Sequence, residues 1–275
     1  MNDRILPNIA DTLKKNNVLI NKSLGQNFLF DLNITDKIVK NAKSNALTII
    51  EIGPGPGGLT RSILKIKSGS LYAIDKDLQC QKMLNDLKLI YKDRLNIIID
   101  DALYYPIWKL GNAPRQVIAN LPYNVSTKML ITWLKNIQNF DLLTLMFQKE
   151  VADRIIAKPG SKNYGRLSIL TNWLTQSKKL FDIPSTAFIP RPKVNSTVIQ
   201  LKPLKKPLYD VSFKSLERLT HLAFNQRRKM LKTSLKYING KKILEELNIS
   251  PNLRPENLTI IEFCKIAKNS FELDY

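Results

Sequence analysis

The sequence predicts an α/β fold: a doubly wound, mostly parallel sheet followed by a small all-helical C-terminal domain. Three observations carry this. The apolar run over residues 47–52 ends in a glycine-dense turn and resumes as a helical pattern from Leu59. Apolar, strand-like runs then alternate with helical patterns as far as residue 202, and such alternation builds βαβ units. Beyond the proline- and lysine-rich stretch 203–207 the pattern is helical throughout. The expected division is therefore residues 1–204 and 205–275, with a linker near 205.

Taken in order, Asp31 or Asn33 can cap a helix running from Ile34 to about Lys43, with Ile34, Ile38 and Val39 on one face. Strands are expected near 47–52, 70–75, 95–100, 116–120, 142–148, 178–183 and 196–202. Helices are expected near 58–67, 77–90, 125–137, 149–157 and 164–176. The last two strands flank a proline-rich stretch and suit an antiparallel pair. The C-terminal helices are expected near 212–225, 228–237, 241–246 and 258–267.

Composition excludes several classes. The 275 residues, 44% hydrophobic, are ample for a core, and no run approaches eighteen uninterrupted apolar residues. The N-terminus lacks the apolar segment of a signal peptide. Cys80 and Cys264 match no metal or redox spacing and suit a reducing cytoplasm. His221 is the lone histidine, which disfavours a histidine metal site or a Ser-His triad. The expectation is a cytoplasmic protein with no metal and no membrane, and nothing in the pattern demands a dimer. Forty-three Lys+Arg against 23 Asp+Glu leave a net charge of +20. A chain this basic attracts polyanions, chiefly nucleic acid, although a lysine-rich proteome produces the same excess. Residues 201–240 concentrate it, with ten basic residues against two acids.

The first site-like stretch is Glu51-Ile52-Gly53-Pro54-Gly55-Pro56-Gly57-Gly58. Strand, glycine turn and helix together let the main chain approach a ligand closely. Gly53-x-Gly55-x-x-Gly58, with Asp75 about twenty residues on, also fits a dinucleotide fingerprint. Glu51 tilts the choice away from a pyrophosphate, which its carboxylate repels, and toward a cationic ligand. Asp75 ends the second strand, where an acid can accept two ribose hydroxyls or cap the next helix. Asp101 ends the third strand and can take the amino hydrogens of an adenine; capping is its alternative role.

Asn120-Leu121-Pro122-Tyr123 closes the fourth strand. An exocyclic amine is a poor nucleophile, because its lone pair is delocalised into the ring. The Asn120 side-chain oxygen and the Leu121 carbonyl can hold its two hydrogens and turn the lone pair outward. Pro122 fixes the backbone and offers no competing donor. Tyr123 can stack on an extruded base. Farther on, Phe188-Ile189-Pro190-Arg191-Pro192 is a stiffened loop whose Phe188 suits either the opposite wall of a base slot or the core. Arg227, Arg228 and Lys229, beside Phe224, suit phosphate contacts or a solvated helix face.

These stretches together resemble the ribosomal RNA adenine dimethyltransferases. Gln26-Asn27-Phe28-Leu29, the glycine loop, Asp75, Asp101, Asn120-Leu121-Pro122-Tyr123 and Phe188-x-Pro190-x-Pro192-x-Val194-x-Ser196 fall in that family's order over roughly residues 18–270. The resemblance is strongest to the branch that dimethylates two adjacent adenines near the 3′ end of small-subunit 16S ribosomal RNA, where a Phe-Asn-Gln-Arg-Arg-Lys run opens the helical domain, as at 224–229 here. It implies a Rossmann-like class I methyltransferase sheet, S-adenosylmethionine as cofactor, and RNA binding by the C-terminal domain. It implies that Gln26, Asn27 and Leu29 line the methionine end of the cofactor, near Glu51 and Gly55 and with Gly53 beneath. It implies that Asp75 takes the ribose and Asp101 the adenine. Asn120, Leu121, Tyr123 and Phe188 then hold the target base. Two departures stand out: Asp75 replaces a more usual Glu, and Asn27 sits where relatives carry His.

Three alternatives stay open. The large-subunit 23S adenine methyltransferases that confer macrolide resistance share the catalytic motifs. A non-enzymatic nucleic-acid-binding factor can use the same fold, but an intact residue 120–123 motif argues against lost catalysis. An NAD-dependent oxidoreductase explains neither that motif nor the charge.

Overall fold

The computed structural model describes residues 9, 11–12, 27–42 and 45–271. Nine strands are present among them: β1 (Phe28–Leu29), β2 (Thr48–Ile52), β3 (Ser70–Asp75), β4 (Leu95–Ile99), β5 (Arg115–Asn120), β6 (Leu142–Gln148), β7 (Thr175–Ile183), β8 (Phe188–Ile189) and β9 (Ser196–Pro203). Seven form one sheet in the order β4-β3-β2-β5-β6-β9-β7. β4, β3, β2, β5 and β6 run parallel, and β9 pairs antiparallel with β6. The pair expected of the last two long strands exists as neighbours in this sheet.

Every residue of β2 is buried, as a strand covered on both faces requires. Strand order reverses across β2 and β5. The crevice beyond the carboxyl ends of the strands at such a reversal is where open α/β sheets bind ligands.

Two of the helices beside the sheet start where an aspartate side chain satisfies a free N–H group. Asp31, the first of the two expected caps, accepts from Asn33 N at 2.8 Å and starts the helix Leu32–Asn41. Asp77 does the same for Leu78–Tyr91 through Gln79 N at 2.9 Å. Helices Gly58–Ile66, Ser126–Leu134, Lys149–Ile155 and Arg166–Leu174 complete the alternation.

Two local elements differ from expectation. β1 and β8 form a separate antiparallel pair, Phe28 opposite Ile189 and Leu29 opposite Phe188. Strands of two residues carry no periodicity to read. The helix expected over 228–237 is a four-residue helix, Leu231–Ser234, followed by a 3₁₀ turn, Lys236–Ile238. It starts late because Met230 is extended, and Leu231 N and Lys232 N bond to Leu253 O and Pro251 O.

The chain divides into two compact units. One is Met1–Ala152 with Lys178–Pro203; the other is Asp153–Ser177 with Leu204–Tyr275. The second unit thus takes in 153–177, which the sequence division puts with the α/β domain. Helix Arg166–Leu174 belongs with helices Phe213–Asn225, Gly240–Glu246 and Ile260–Phe271. Within this unit Phe224 packs edge-on to Tyr164, with centroids 6.4 Å apart, and stacks on Phe263 at 5.7 Å. No described helix is long and apolar enough to cross a membrane.

Candidate active site

A cavity of ≈ 780 Å³, counting its open mouth, lies beyond the ends of β2, β3, β4 and β5. Its lining includes Asn27, Gly53, Asp75, Asp101, Asn120 and Tyr123. A smaller cavity of ≈ 310 Å³ adjoins it, lined by Leu29, Glu51, Pro54 and Gly58 among others. Phe28, Gly53 and Asn120 line both.

The glycine loop leaves β2 in a left-handed conformation, with φ of +65° at Gly53 and +52° at Gly55. A side chain strains that backbone. Gly53 also brings the loop against the 120–123 motif: the Cβ it lacks stands 3.8 Å from the Asn120 carbonyl oxygen and 3.9 Å from Pro122 Cδ. Gly55 lines neither cavity. The Phe28 ring covers it so closely that a Cβ would fall 2.5 Å from a ring carbon. Gly55 therefore makes room for Phe28, a residue of the site that the sequence marks only as part of the Gln-Asn-Phe-Leu run.

Glu51 is 1% exposed, and its Oε2 has no hydrogen-bond partner among the described residues. Burial pushes its carboxyl up to about 8, with the Thr60 hydroxyl and N–H opposing the shift and Asp75 reinforcing it. A cation in the smaller cavity can satisfy this oxygen and would favour the ionised form of the carboxyl. Asp75 ends β3 and is also raised by burial; the N–H groups of Asp77, Gly55 and Lys76 hold the shift down. Its Oδ1 accepts from Asp77 N at 3.0 Å. Asp101 Oδ1 accepts from Leu103 N at 2.9 Å, so one oxygen caps the turn after β4. Both acids line the larger cavity, so capping and ligand contact coexist. A nucleoside that also carries an ammonium group fits this set of carboxyl groups.

Asn120 is the last residue of β5, opposite Met146, where the ladder with β6 ends. Its Nδ2 donates to the Asn27 carbonyl at 3.0 Å. That bond commits one amide hydrogen and orients the side chain of a residue that lines both cavities, with Oδ1 as its acceptor. Leu121 and Pro122 follow beyond the ladder, and the Pro122 carbonyl accepts from Val125 N and Ser126 N to turn the chain into helix Ser126–Leu134. Tyr123 faces the larger cavity, and its hydroxyl bonds to Ser196 Oγ at 2.6 Å. Burial raises its phenol, while the Ser196 hydroxyl pulls it back.

Not every expected residue lies here. Gln26 is outside the described residues. Leu29 lines the smaller cavity alone. Phe188 is 2% exposed, lines neither cavity and packs in the core beside Leu29. In the helical unit Arg227 is engaged: its Nε lies 2.7 Å from Glu256 Oε2, and its Nη2 donates to the Lys162 carbonyl at 2.6 Å. Arg228 and Lys229 are exposed.

A glycine loop over a buried carboxyl, beside an Asn-Leu-Pro-Tyr turn that offers two oxygen acceptors, suits methylation of an exocyclic amine. The sequence pattern of the family described as ribosomal RNA adenine dimethylase matches residues 17–271. The chain belongs to that family. This dimethylase-family chain is 44% identical over 265 residues to ribosomal RNA small subunit methyltransferase A of Rhodospirillum rubrum, covering 96% of this chain and 92% of that one. It is 46% identical over 269 residues to the protein of the same name from Agrobacterium fabrum, covering 95% and 97%. A crystal structure of a dimethyladenosine transferase from Plasmodium falciparum superposes with a TM-score of 0.76 at 25% identity, over 87% of this chain and 95% of that one. The 23S rRNA methyltransferase ErmE shares the fold, with a TM-score of 0.67 at 19% identity, over 89% and 99%.

Proposed function

We propose that this dimethylase methylates the N6 amines of two adjacent adenosines near the 3′ end of 16S ribosomal RNA, giving dimethyladenosine in the small ribosomal subunit. The observation that carries the reading is the Asn120 amide. Its nitrogen is held by the Asn27 carbonyl, so its oxygen faces a target amine beside the cofactor loop. The names of the relatives favour the small subunit.

S-adenosylmethionine, when bound, supplies a methyl on a sulfonium; the new C–N bond forms as the S–C bond breaks, a neutral thioether leaves, and the nitrogen sheds one proton to water. Glu51 receives the cofactor's ammonium, Gly53 lets the main chain lie beneath it, and Asn27 and Leu29 close the methionine end; Gln26 is proposed to join them. Asp75 holds the ribose and Asp101 the adenine. Asn120 Oδ1 and the Leu121 carbonyl take the two amine hydrogens and aim the lone pair. Tyr123 stacks on the base. Positioning supplies most of the rate, because an amine held in line needs no base at the outset. Arg228 and Lys229 contact RNA phosphates. The protein acts as a monomer in the cytoplasm.

The test is methyl transfer from labelled S-adenosylmethionine to undermethylated small subunits, with large subunits in parallel and Asn120→Ala as control. Dimethyladenosine in the small subunit alone, lost in the variant, is expected. Label in the large subunit instead transfers the chain to the macrolide-resistance branch. RNA binding without label in either points to a binding factor.

A further inference from the structure

We propose that Ser196 is a positioning residue for the second methylation, acting through Tyr123. The proposal rests on the reading above and adds a residue and a step to it.

Ser196 ends the Phe-x-Pro-x-Pro-x-Val-x-Ser run and opens β9. It is fully buried and sits opposite Gln148 of β6. Its backbone is pinned on the N-terminal side. The Asn195 carbonyl accepts from Lys149 N at 2.9 Å, and the Asn195 side-chain oxygen accepts from Ser185 N at 3.0 Å. A hydroxyl so fixed is a rigid anchor for the Tyr123 hydroxyl 2.6 Å away. The bond joins two stretches 73 residues apart in the chain. It tethers the far end of the one aromatic ring among the residues 120–123 that line the cavity.

The position of the ring matters unequally in the two transfers. An unmodified adenine presents two amine hydrogens to two acceptors, Asn120 Oδ1 and the Leu121 carbonyl. After one methyl is added, only one hydrogen remains, and one acceptor loses its partner. The hold on the base then falls more heavily on the aromatic face, whose stacking does not depend on the methylation state. Loosening Tyr123 therefore slows the second transfer more than the first.

The test compares wild type, Ser196→Ala, Tyr123→Phe and the double variant on undermethylated small subunits. Monomethyl- and dimethyladenosine are separated at matched total methyl incorporation. Both single variants should raise the mono-to-di ratio by about fivefold, the factor of one net hydrogen bond, and the double variant should add nothing further. Cofactor affinity should stay at the wild-type value in Ser196→Ala. A merely structural loss slows both transfers alike and leaves the matched ratio unmoved. An unmoved ratio in both single variants, or independent effects in the double, overturns the proposal. If Ser196→Ala fails to fold, Tyr123→Phe reads the same bond from its other end. Wild-type protein that makes no methyladenosine at all defeats the underlying functional reading instead.

Discussion

Glu51, as the proposed ammonium site, should couple cofactor binding to a proton. With its carboxyl at about 8 in the folded protein and an ordinary value of 4.5, the ligand-free fold holds a proton there that the unfolded chain gives up. The sign follows. Below 4.5 both states are protonated; between 4.5 and about 8 the folded state binds more protons, so this group's contribution to stability falls as pH rises. An ammonium beside the carboxyl favours its charged form. At pH 7 cofactor binding should release close to one proton, seen by calorimetry in buffers of different ionisation enthalpy, and Glu51→Gln should abolish that release. Equal release from both proteins removes Glu51 from the ammonium site. Asn120 yields a second expectation. Asn120→Asp keeps the acceptor but faces the Asn27 carbonyl with a group that donates only when protonated. Its activity should drop by about 10²-fold or more, the scale of losing one positioned group, and recover relative to wild type as pH is lowered. A pH-independent defect counts against the Asn27 bond as the cause.

At the scale of elements, the central strands were legible because each is an apolar run closed by a punctuating acid, glycine or asparagine. Glu51, Asp75, Asp101 and Asn120 fall at strand ends for that reason, and the fold gathers them at one edge of the sheet. What was not legible needed partners from far along the chain. β1 and β8 have no pattern of their own and exist through each other. Phe188 reads equally as base wall or core from sequence, and only the packing against Leu29 and its neighbours separates the two. The structure puts it in the core, so Phe188→Ala should cost about 3–5 kcal/mol in denaturant unfolding. A change in kcat with unfolding unaltered restores the wall. Likewise, Arg227 is indistinguishable from Arg228 in the sequence; the Glu256 carboxylate tells them apart.

Across the whole molecule, the +20 charge is a long-range attraction for polyanions, and the local arrangement decides which cations act. Arg228→Ala and Lys229→Ala should each lower the salt slope of RNA binding by about 1 and leave thermal unfolding unchanged. Arg227→Ala should act chiefly on the folding of the helical unit, which it ties together through Glu256 and Lys162. A shift in salt slope from Arg227→Ala equal to that of its neighbours shows that the ion pair opens on RNA. The β1–β8 pair has a consequence in time. During synthesis, β2 to β6 can assemble while Phe28 and Leu29 still lack their partner strand, because Phe188 and Ile189 are made 160 residues later. The nascent chain thus carries the acids and the amide of its site before it has the means to close them in, and competence arrives only with the last third of translation.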